Sequence, residues 1–331
     1  MKKILFVSTE RIGDSIALTP TIRAVAKNIK DAEIELICKT KNFDVFSGNP
    51  YLKKVRTKNK LSLYGSKIFP PQKVYDICLC YSVNDDFISF ASQISHKVFC
   101  FKNKNLQTNY SNIELYELPP PLERNNTHIA VEKFELAKSL DIKHDNFRYD
   151  LFLNQYEIVF GKNLKSKYYD KFEKLICLKI ASDPKKSYRD WPKKNFKELI
   201  SLILNKNKNV GFIIIGSSSE KKLINEITQR NTKNIFAHTD QPIKHSASII
   251  SICDLYIGVD TGMTHIATCF NVPIIGIYHE LNPFKRGGPF DYPNNYSLDM
   301  KNFIKNKNEE NNIGIIKPID VYRQVFKAIG I

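Results

Sequence analysis

The strongest constraint on the fold is an alternation of short apolar runs with segments of helical periodicity along all 331 residues. The runs, of which Lys3–Ser8 and Val210–Gly216 are examples, are rich in β-branched residues and are typical of buried strands. Apolar residues at helical spacing follow several of these runs, as in the segment from Ser15 to about Lys30. This alternation predicts a parallel, doubly wound α/β sheet.

The first half of the chain contains one complete set of such elements. We predict strands at Lys3–Ser8, Glu33–Lys39, Lys53–Arg56, Tyr75–Tyr81 and Lys97–Phe101, and helices at Ser15–Lys30, Phe43–Ser47, Asp85–Ile94 and His128–Leu140. Asn103–Asn126 lacks periodicity and contains consecutive prolines, so it is predicted to be a surface loop. Lys143–Asp150 is predicted to link two domains.

The second half repeats the pattern. We predict helices at Gln155–Tyr169, Lys194–Asn205, Glu220–Gln229 and His245–Ile252, and strands at Lys174–Ala181, Val210–Gly216 and Asn234–Ala237. A chain of this length is long for one core and sufficient for two. We therefore expect two Rossmann-like domains, 1–150 and 151–331, which face each other across a cleft, with a final helix that could pack back on the first domain. No GxGxxG follows the first strand, so a Rossmann dehydrogenase is not supported.

The most informative stretch is Asp254–Ile277, which reads DLYIGVDTGMTHIATCFNVPIIGI. Two buried strands, Leu255–Val259 and Val272–Ile277, enclose a short helical pattern, so the stretch is predicted to be a βαβ unit. The turn after the first strand lies at the carboxyl end of the sheet, where open parallel sheets bind ligands.

That turn consists of Asp260, Thr261 and Gly262. Backbone N–H groups at a helix N-terminus can bind an anion, and Gly262 allows a phosphate to approach the backbone. His265 lies one helical turn past Thr261 on the same face. The alternative interpretation is that Asp260 and Thr261 only cap the helix.

Composition and charge limit the partners. Charged residues at 25% and apolar residues at 42% describe a globular protein, and no apolar run is long enough for a membrane span. The seven cysteines fit no zinc motif and are read as reduced thiols. The net charge is +16, and the basic run Lys53–Lys73 contains no acidic residue. This excess indicates either a lysine-rich solvated surface or binding to an anionic membrane or glycolipid. Nucleic acid is not expected, because no nucleic-acid-binding motif accompanies the charge.

Four segments carry a family resemblance. Val7–Pro20 (VSTERIGDSIALTP), Ser47–Pro50 (SGNP), Arg189–Phe196 (RDWPKKNF) and Val259–His265 (VDTGMTH) resemble glycosyltransferase family 9, which includes the heptosyltransferases of lipopolysaccharide inner-core synthesis. The resemblance implies a GT-B fold with an acceptor-binding N-terminal half and a nucleotide-sugar-binding C-terminal half. It also implies inverting transfer without a metal or other cofactor, typically from ADP-heptose to an anionic glycolipid acceptor.

The resemblance also implies roles for single residues. Asp14 matches the proposed catalytic base of the family, and such transfer needs a base for the acceptor hydroxyl. The alternative is that Asp14 is a helix N-cap. The predicted acceptor-binding residues are Arg11, Gly13 and Lys60.

The predicted donor site lies in the second half. Arg189 matches a basic position that contacts the donor phosphates in the family, and the alternative is a surface residue beside a packed Trp191. Glu220 could accept from the ribose or adenosine part of the donor or serve only as helix N-terminal charge. The predicted nucleotide-sugar-binding residues are Ser182, Lys186, Arg189, Glu220, Asp260, Thr261, Gly262, Met263 and His265. No metal site is expected, since Asp85–Asp86 has the wrong spacing for a DxD motif.

Two departures from the family pattern leave the substrates open. Tyr278–Pro283 stands where the family usually has a Gly-Pro-Thr segment, and Tyr81–Asn84 lacks the polar or basic residues often found there. One alternative is the same fold with another nucleotide sugar and a capsule or protein acceptor. Another is a non-catalytic nucleotide-sugar or polyanion binder. The expected location is cytoplasmic, peripheral on the cytoplasmic face of the inner membrane.

Overall fold

The computed structural model describes residues 1–59, 63, 72–102, 110–228, 233–281, 284–306, 309 and 311–331. The chain forms two compact units, Met1–Phe152 and Leu153–Ile331. Each unit contains one six-stranded sheet, and every pair of neighbouring strands in it is parallel. The predicted α/β class with doubly wound sheets is confirmed.

The first unit has the strand order β3-β2-β1-β4-β5-β6, which is the Rossmann order. Its strands are β1 (Lys3–Ser8), β2 (Glu33–Cys38), β3 (Lys54–Thr57), β4 (Tyr75–Tyr81), β5 (Ser95–Phe101) and β6 (Ile113–Tyr116). Its helices are α1 (Ile12–Ala17), α2 (Thr19–Asn28), α3 (Phe43–Phe46), α4 (Asp85–Ile94), α5 (Pro121–Asn126) and α6 (Ile129–Ala137).

The second unit has the order β12-β11-β10-β7-β8-β9, which is the same topology. Its strands are β7 (Lys174–Lys179), β8 (Val210–Gly216), β9 (Ile235–Thr239), β10 (Leu255–Val259), β11 (Ile274–Tyr278) and β12 (Leu298–Asp299). Its helices are α7 (Gln155–Tyr168), α8 (Lys193–Lys206), α9 (Lys221–Thr228), α10 (Ile243–Ser251), α11 (Gly262–Ala267), α12 (Phe284–Gly287) and α13 (Pro318–Ile329).

Burial of the central strands explains their continuous apolar runs. The interior residues of β1, β8 and β10 are buried, as expected for parallel strands covered by helices on both faces. The final helix α13 contributes Val321 and Val325 to the core of the second unit, next to Trp191 and Phe196. Among the described residues, no helix combines the length and apolarity that a membrane crossing requires.

The predicted helix Ser15–Lys30 is two helices that meet at Leu18. Pro20 causes the break, because proline has no N–H to donate and its ring clashes with the carbonyl group four residues earlier, that of Ile16. The Thr19 hydroxyl donates to that carbonyl over 2.7 Å instead. The first helix also begins earlier than predicted, at Ile12.

The predicted loop Asn103–Asn126 was wrong in part. Residues 103–109 lie outside the described residues, but β6 and α5 occupy Ile113–Tyr116 and Pro121–Asn126. The strand pairs with β5 at the edge of the sheet and has no fully buried residue. Such a short edge strand has no continuous apolar run, which is the pattern that identified the buried strands.

The predicted linker Lys143–Asp150 belongs to the first unit. The Arg23 guanidinium, on α2, donates to the backbone carbonyls of Arg148 and Asn146, both at 3.0 Å, and forms an ion pair with Asp150. The Arg23 side chain is buried, so this segment is packed against the sheet's helical layer.

Candidate functional site

Both sheets reverse their strand order at one point, where ligands bind in folds of this type. In the first unit this switch point lies between β1 and β4, and in the second between β7 and β10. Side chains connect the loops at the carboxyl ends of these strands. In the first unit Thr9 and Ser82 share a 2.8 Å hydrogen bond between their hydroxyl oxygens.

Arg189 and Asp260 connect the loops at the switch point of the second unit. An Arg189 Nη1–H donates to the Asp260 carboxylate over 2.7 Å, and both side chains are nearly buried. Arg189 Nε also donates to the hydroxyl of Tyr188 over 3.1 Å. Two residues that were predicted separately to bind the donor thus form one buried ion pair.

The turn Asp260–Gly262 leads into α11, the helix that the alternative interpretation has Asp260 and Thr261 cap. Thr261 occupies the N-cap position of α11, but its side chain makes no capping hydrogen bond. Asp260 instead pairs with Arg189. The first turn of α11 contains Gly262 and Met263, and both Met263 and His265 are partly exposed. The backbone N–H groups at the start of α11 therefore lie at the sheet's carboxyl edge, together with Asp260.

The loop after β7 folds on itself through Ser182. Its N–H donates to the Asp190 carboxylate over 2.7 Å and its hydroxyl to the carbonyl of Lys186 over 2.9 Å. Burial raises the pKa of Asp190, although the bonds from Ser182 and the charge of Lys179 act in the opposite direction. Ser182 therefore shapes the loop that carries Arg189.

The Glu220 carboxylate is held in place by two partners. One carboxylate oxygen accepts from the N–H and hydroxyl of Ser217 in a capping box, so the predicted N-terminal helix role is present. The other accepts from Lys179 Nζ over 2.5 Å, in a pair whose side chains are 9% and 11% exposed. Lys179 was missed in the sequence. A lysine directly after the apolar run Leu175–Leu178 was the signal that could have identified it.

The loop after β11, which departs from the family pattern, brings His279 to the carboxyl edge of the second sheet. His279 is fully buried, and its ring lies edge-on against Tyr188 with ring centres 5.2 Å apart. Burial lowers the pKa of His279, and the positive charge of Arg189 acts in the same direction. The uncharged imidazole thus packs beside the Arg189 loop, a contact that no sequence motif indicated.

In the first unit Asp14 is the third residue of α1, not a loop residue before a helix. Arg11 occupies the N-cap position, so the alternative that Asp14 caps this helix is wrong. Asp14 is partly exposed. Within the described part of the chain its carboxylate makes no hydrogen bond and no ion pair. It is therefore a carboxylate open to a ligand.

Four charged residues near Asp14 were not identified from the sequence. Arg124, on α5, forms two hydrogen bonds of 2.7 and 3.1 Å with the buried Glu132 carboxylate of α6. Lys133, also on α6, pairs with Glu10 in the loop after β1. The charge of Asp14 acts on both Glu10 and Arg124, which places it in the same cluster.

Of the three predicted acceptor-binding residues, the structure describes Arg11 and Gly13. Arg11 is exposed and Gly13 is partly exposed, one on each side of Ile12 at the start of α1. Lys60 lies outside the described residues. Their acceptor-binding role stays a prediction.

Asp85 and Asp86 lie in the first turn of α4, as predicted. The Asn84 side chain caps this helix by accepting from the N–H groups of Asp86 and Phe87. Within the described ranges, no group of three or more His, Cys, Asp or Glu side chains could hold a metal ion.

The model of glycosyltransferase family 9 (heptosyltransferase) matches residues 122–312, more than half of the chain. The chain belongs to this family. The matched range contains the RDWP and DTGMTH motifs, whereas Asp14 and the other N-terminal motifs lie outside it. The membership predicted from the four segments is thus confirmed, and the second unit carries most of the match.

Individual proteins are similar to this chain in sequence or in fold. The lipopolysaccharide core heptosyltransferase OpsX of Haemophilus influenzae is 28% identical over 161 residues, which are 48% of this chain and 41% of that relative. The match thus spans less than half the length of this curated relative. The crystal structure of a family 9 glycosyltransferase from Veillonella parvula has a TM-score of 0.82 at 18% identity, over 99% of this chain and 97% of that chain.

A second solved structure, the E. coli ADP-heptose lps heptosyltransferase II, has a TM-score of 0.75 at 13% identity and covers 99% of this chain and 98% of that chain. At these identities the likeness shows the fold alone. It confirms the predicted GT-B class with two Rossmann-like units.

Proposed function

We propose that this family 9 protein transfers a sugar from a nucleotide sugar to a lipopolysaccharide or lipooligosaccharide core acceptor. ADP-heptose is the proposed donor, since the relatives include a lipopolysaccharide core heptosyltransferase and an ADP-heptose heptosyltransferase. The observation that carries the proposal is that the two switch points carry different chemical groups. The first unit has the open carboxylate of Asp14, and the second has Arg189 and the start of α11.

In the proposed reaction Asp14 takes the proton of the acceptor hydroxyl as its oxygen attacks the anomeric carbon of the donor sugar. The bond from that carbon to the diphosphate breaks, and the nucleoside diphosphate leaves from the opposite face, so the configuration inverts. A partly exposed carboxylate without a competing ion pair is suited to this role, because it can accept a proton without first releasing a partner.

The donor diphosphate is proposed to bind at the carboxyl edge of the second sheet. A guanidinium has five N–H donors in a fixed fork, so Arg189 can bind Asp260 and a phosphate oxygen together. The N–H groups at Gly262 and Met263 add a second source of positive potential. These groups replace a metal ion as stabilisers of the leaving group, so the transfer is proposed to need no metal.

The donor class is tested by a thermal-shift screen of ADP-, GDP- and UDP-sugars in the presence of EDTA. A ligand that binds only the folded protein stabilises it by about 2.7 kcal/mol at 100 times its Kd. We expect ADP and ADP-heptose to raise Tm, and GDP- and UDP-sugars to leave it unchanged.

The double variant Arg189→Gln, Asp260→Asn, which leaves no unpaired buried charge, is the control in this screen and should show a smaller rise with every nucleotide. A rise with GDP- or UDP-sugars alone would favour the same fold with another donor, and His279 in the departing loop would then be the first residue to exchange. Stabilisation by ADP-heptose that appears only when Mg²⁺ replaces EDTA would contradict metal independence.

We further propose that the enzyme acts at the cytoplasmic face of the inner membrane, bound peripherally by its basic surface. Of the run Lys53–Lys73, the described Lys53, Lys54 and Lys73 are exposed. Lys53 forms an ion pair with Glu33, while Lys58 packs on the ring of Phe90. Binding to anionic vesicles should therefore be electrostatic and should fall steeply as salt is raised.

Charge reversal tests this surface. Exchange of Lys54, Lys60 and Lys73 to Glu should abolish sedimentation with anionic vesicles at low salt. The control variant reverses three exposed lysines of the second unit, Lys194, Lys206 and Lys208, and should bind as the parent protein does. Equal binding of both variants, or equal binding to neutral vesicles, would identify the basic excess as a solvated surface.

A further inference from the structure

Tyr188 lies at the proposed donor site, but no sequence motif and no step of the proposed transfer uses it. It belongs to the 3₁₀ turn Pro184–Arg189 in the loop after β7, and 42% of the residue is exposed. Its ring and its hydroxyl group nevertheless each contact a neighbouring side chain. A side chain that is exposed and already held in one orientation loses little conformational entropy when a ligand binds to it.

The Tyr188 ring is held by His279 from the loop after β11. The two rings are nearly perpendicular, at 81°, with their centres 5.2 Å apart, which is a favourable geometry for an aromatic pair. His279 is itself fully buried, and its Nδ1 accepts from the backbone N–H of Leu281 over 3.1 Å. A fixed ring of one loop therefore orients the exposed ring of the other.

The Tyr188 hydroxyl group is oriented by Arg189. Its oxygen accepts from Arg189 Nε–H over 3.1 Å, and the guanidinium carbon lies 5.5 Å from the centre of the ring. Because the oxygen accepts on this side, its own hydrogen is directed away from the guanidinium. Among the described residues, this hydroxyl group has no acceptor for that hydrogen. The residue thus presents an O–H donor directly beside the proposed phosphate-binding cation.

The shape of the guanidinium determines what this donor can reach. Along one edge, Nε–H and one Nη–H point the same way and can hold two oxygens side by side. The Tyr188 oxygen is one of the two. A ligand oxygen that binds next to it on the same edge lies within reach of the Tyr188 hydrogen. Such an oxygen would then accept one bond from Arg189 and one from Tyr188.

We propose that Tyr188 is a donor-binding residue whose hydroxyl group donates to the diphosphate oxygen bound by Arg189, and that His279 is its positioning residue. This inference rests on the proposed diphosphate site. The diphosphate gains negative charge as its bond to the sugar breaks, so the hydrogen bond from Tyr188 strengthens in the transition state. Tyr188 therefore contributes both to donor affinity and to kcat.

Tyr188→Phe tests the hydroxyl group, because it keeps the ring contact with His279 and removes only the O–H donor. In calorimetric titrations the Kd of ADP should rise about tenfold, and kcat of sugar transfer should fall by a similar factor. The Kd of adenosine, which has no phosphate, should not change. Tyr168→Phe is the matched control, since Tyr168 is a similarly exposed tyrosine of the same unit, and it should bind both ligands as the parent protein does.

His279→Ala tests the positioning role. Without the His279 ring, Tyr188 is no longer oriented, so this variant should also bind ADP more weakly. The double variant Tyr188→Phe, His279→Ala should then be no weaker than His279→Ala alone, because coupled residues are not additive. Fully additive effects would overturn the role of His279. If His279→Ala does not fold, Tyr188→Phe with ADP and adenosine decides.

The same titrations tell the failure of this inference from failure of the proposed donor site. A parent protein that binds none of ADP, GDP and UDP would refute both. A parent protein that binds ADP, together with an unchanged Kd in Tyr188→Phe, would refute only the role of Tyr188. Equal weakening of ADP and adenosine in that variant would show a structural effect on the loop and would also overturn the proposal.

Discussion

Asp14→Asn is expected to lower kcat by about 10²–10⁴ while donor affinity stays within about twofold of the parent enzyme. Asparagine keeps the shape of aspartate but cannot take the hydroxyl proton. The Asp14 carboxylate has no hydrogen bond or ion pair with another described residue, so the substitution breaks no such bond there. Steady-state kinetics of sugar transfer, with calorimetric titration of ADP, separate the two effects.

A matched control is Asp44→Asn. Asp44 is also partly buried and also lies in the first turn of a helix of the first unit, α3. Its exchange should leave kcat and Tm nearly unchanged. A purified Asp14→Asn enzyme with the parent's kcat would exclude Asp14 as the base, and an equal loss in Asp44→Asn would point to a structural cause.

Strands and helices whose apolar residues follow a clear pattern were predicted with the same first and last residues that the structure shows. The bounds of β1, β4, β8 and α4 agree with the predicted Lys3–Ser8, Tyr75–Tyr81, Val210–Gly216 and Asp85–Ile94. The strands are continuous apolar runs, because parallel strands are buried on both faces, and the apolar residues of α4 recur at helical spacing. Where two signals competed, as at Pro20 within a helical pattern, the period alone missed the break between α1 and α2.

The donor-site residues were found in the sequence, but their pairing was not. Arg189 and Asp260 are 71 positions apart, and only the neighbouring positions of β7 and β10 in the sheet bring their loops together. The same reason hid Lys133, whose partner Glu10 comes from the opposite end of the first unit. Motifs identify residues near a strand end, whereas ion pairs depend on strand order.

The pairing of Arg189 changes what a substitution there should do. Arg189→Ala removes a cation from the proposed phosphate site and also leaves the buried Asp260 carboxylate without its partner. Breaking a buried pair on one side typically costs about 3–5 kcal/mol of stability. Loss of activity in this variant could therefore arise from unfolding alone, so a second variant is needed to isolate the effect on the donor.

The double variant Arg189→Gln, Asp260→Asn supplies that separation. It removes both charges and leaves no buried ion, so Tm should recover most of the loss seen in Arg189→Ala. Donor affinity should not recover. Loss of one charged hydrogen bond to the diphosphate is worth about 1.5–3 kcal/mol, or roughly a 10- to 150-fold rise in the Kd of ADP.

Calorimetric titration of ADP, carried out below the Tm of each variant, measures this effect directly. Arg323→Ala serves as the control, because Arg323 is an exposed arginine of the same unit and its loss should change neither Tm nor Kd. If the double variant bound ADP as tightly as the parent protein, Arg189 would be a structural residue. The phosphate role would then pass to the start of α11 and to Lys186 in the loop after β7.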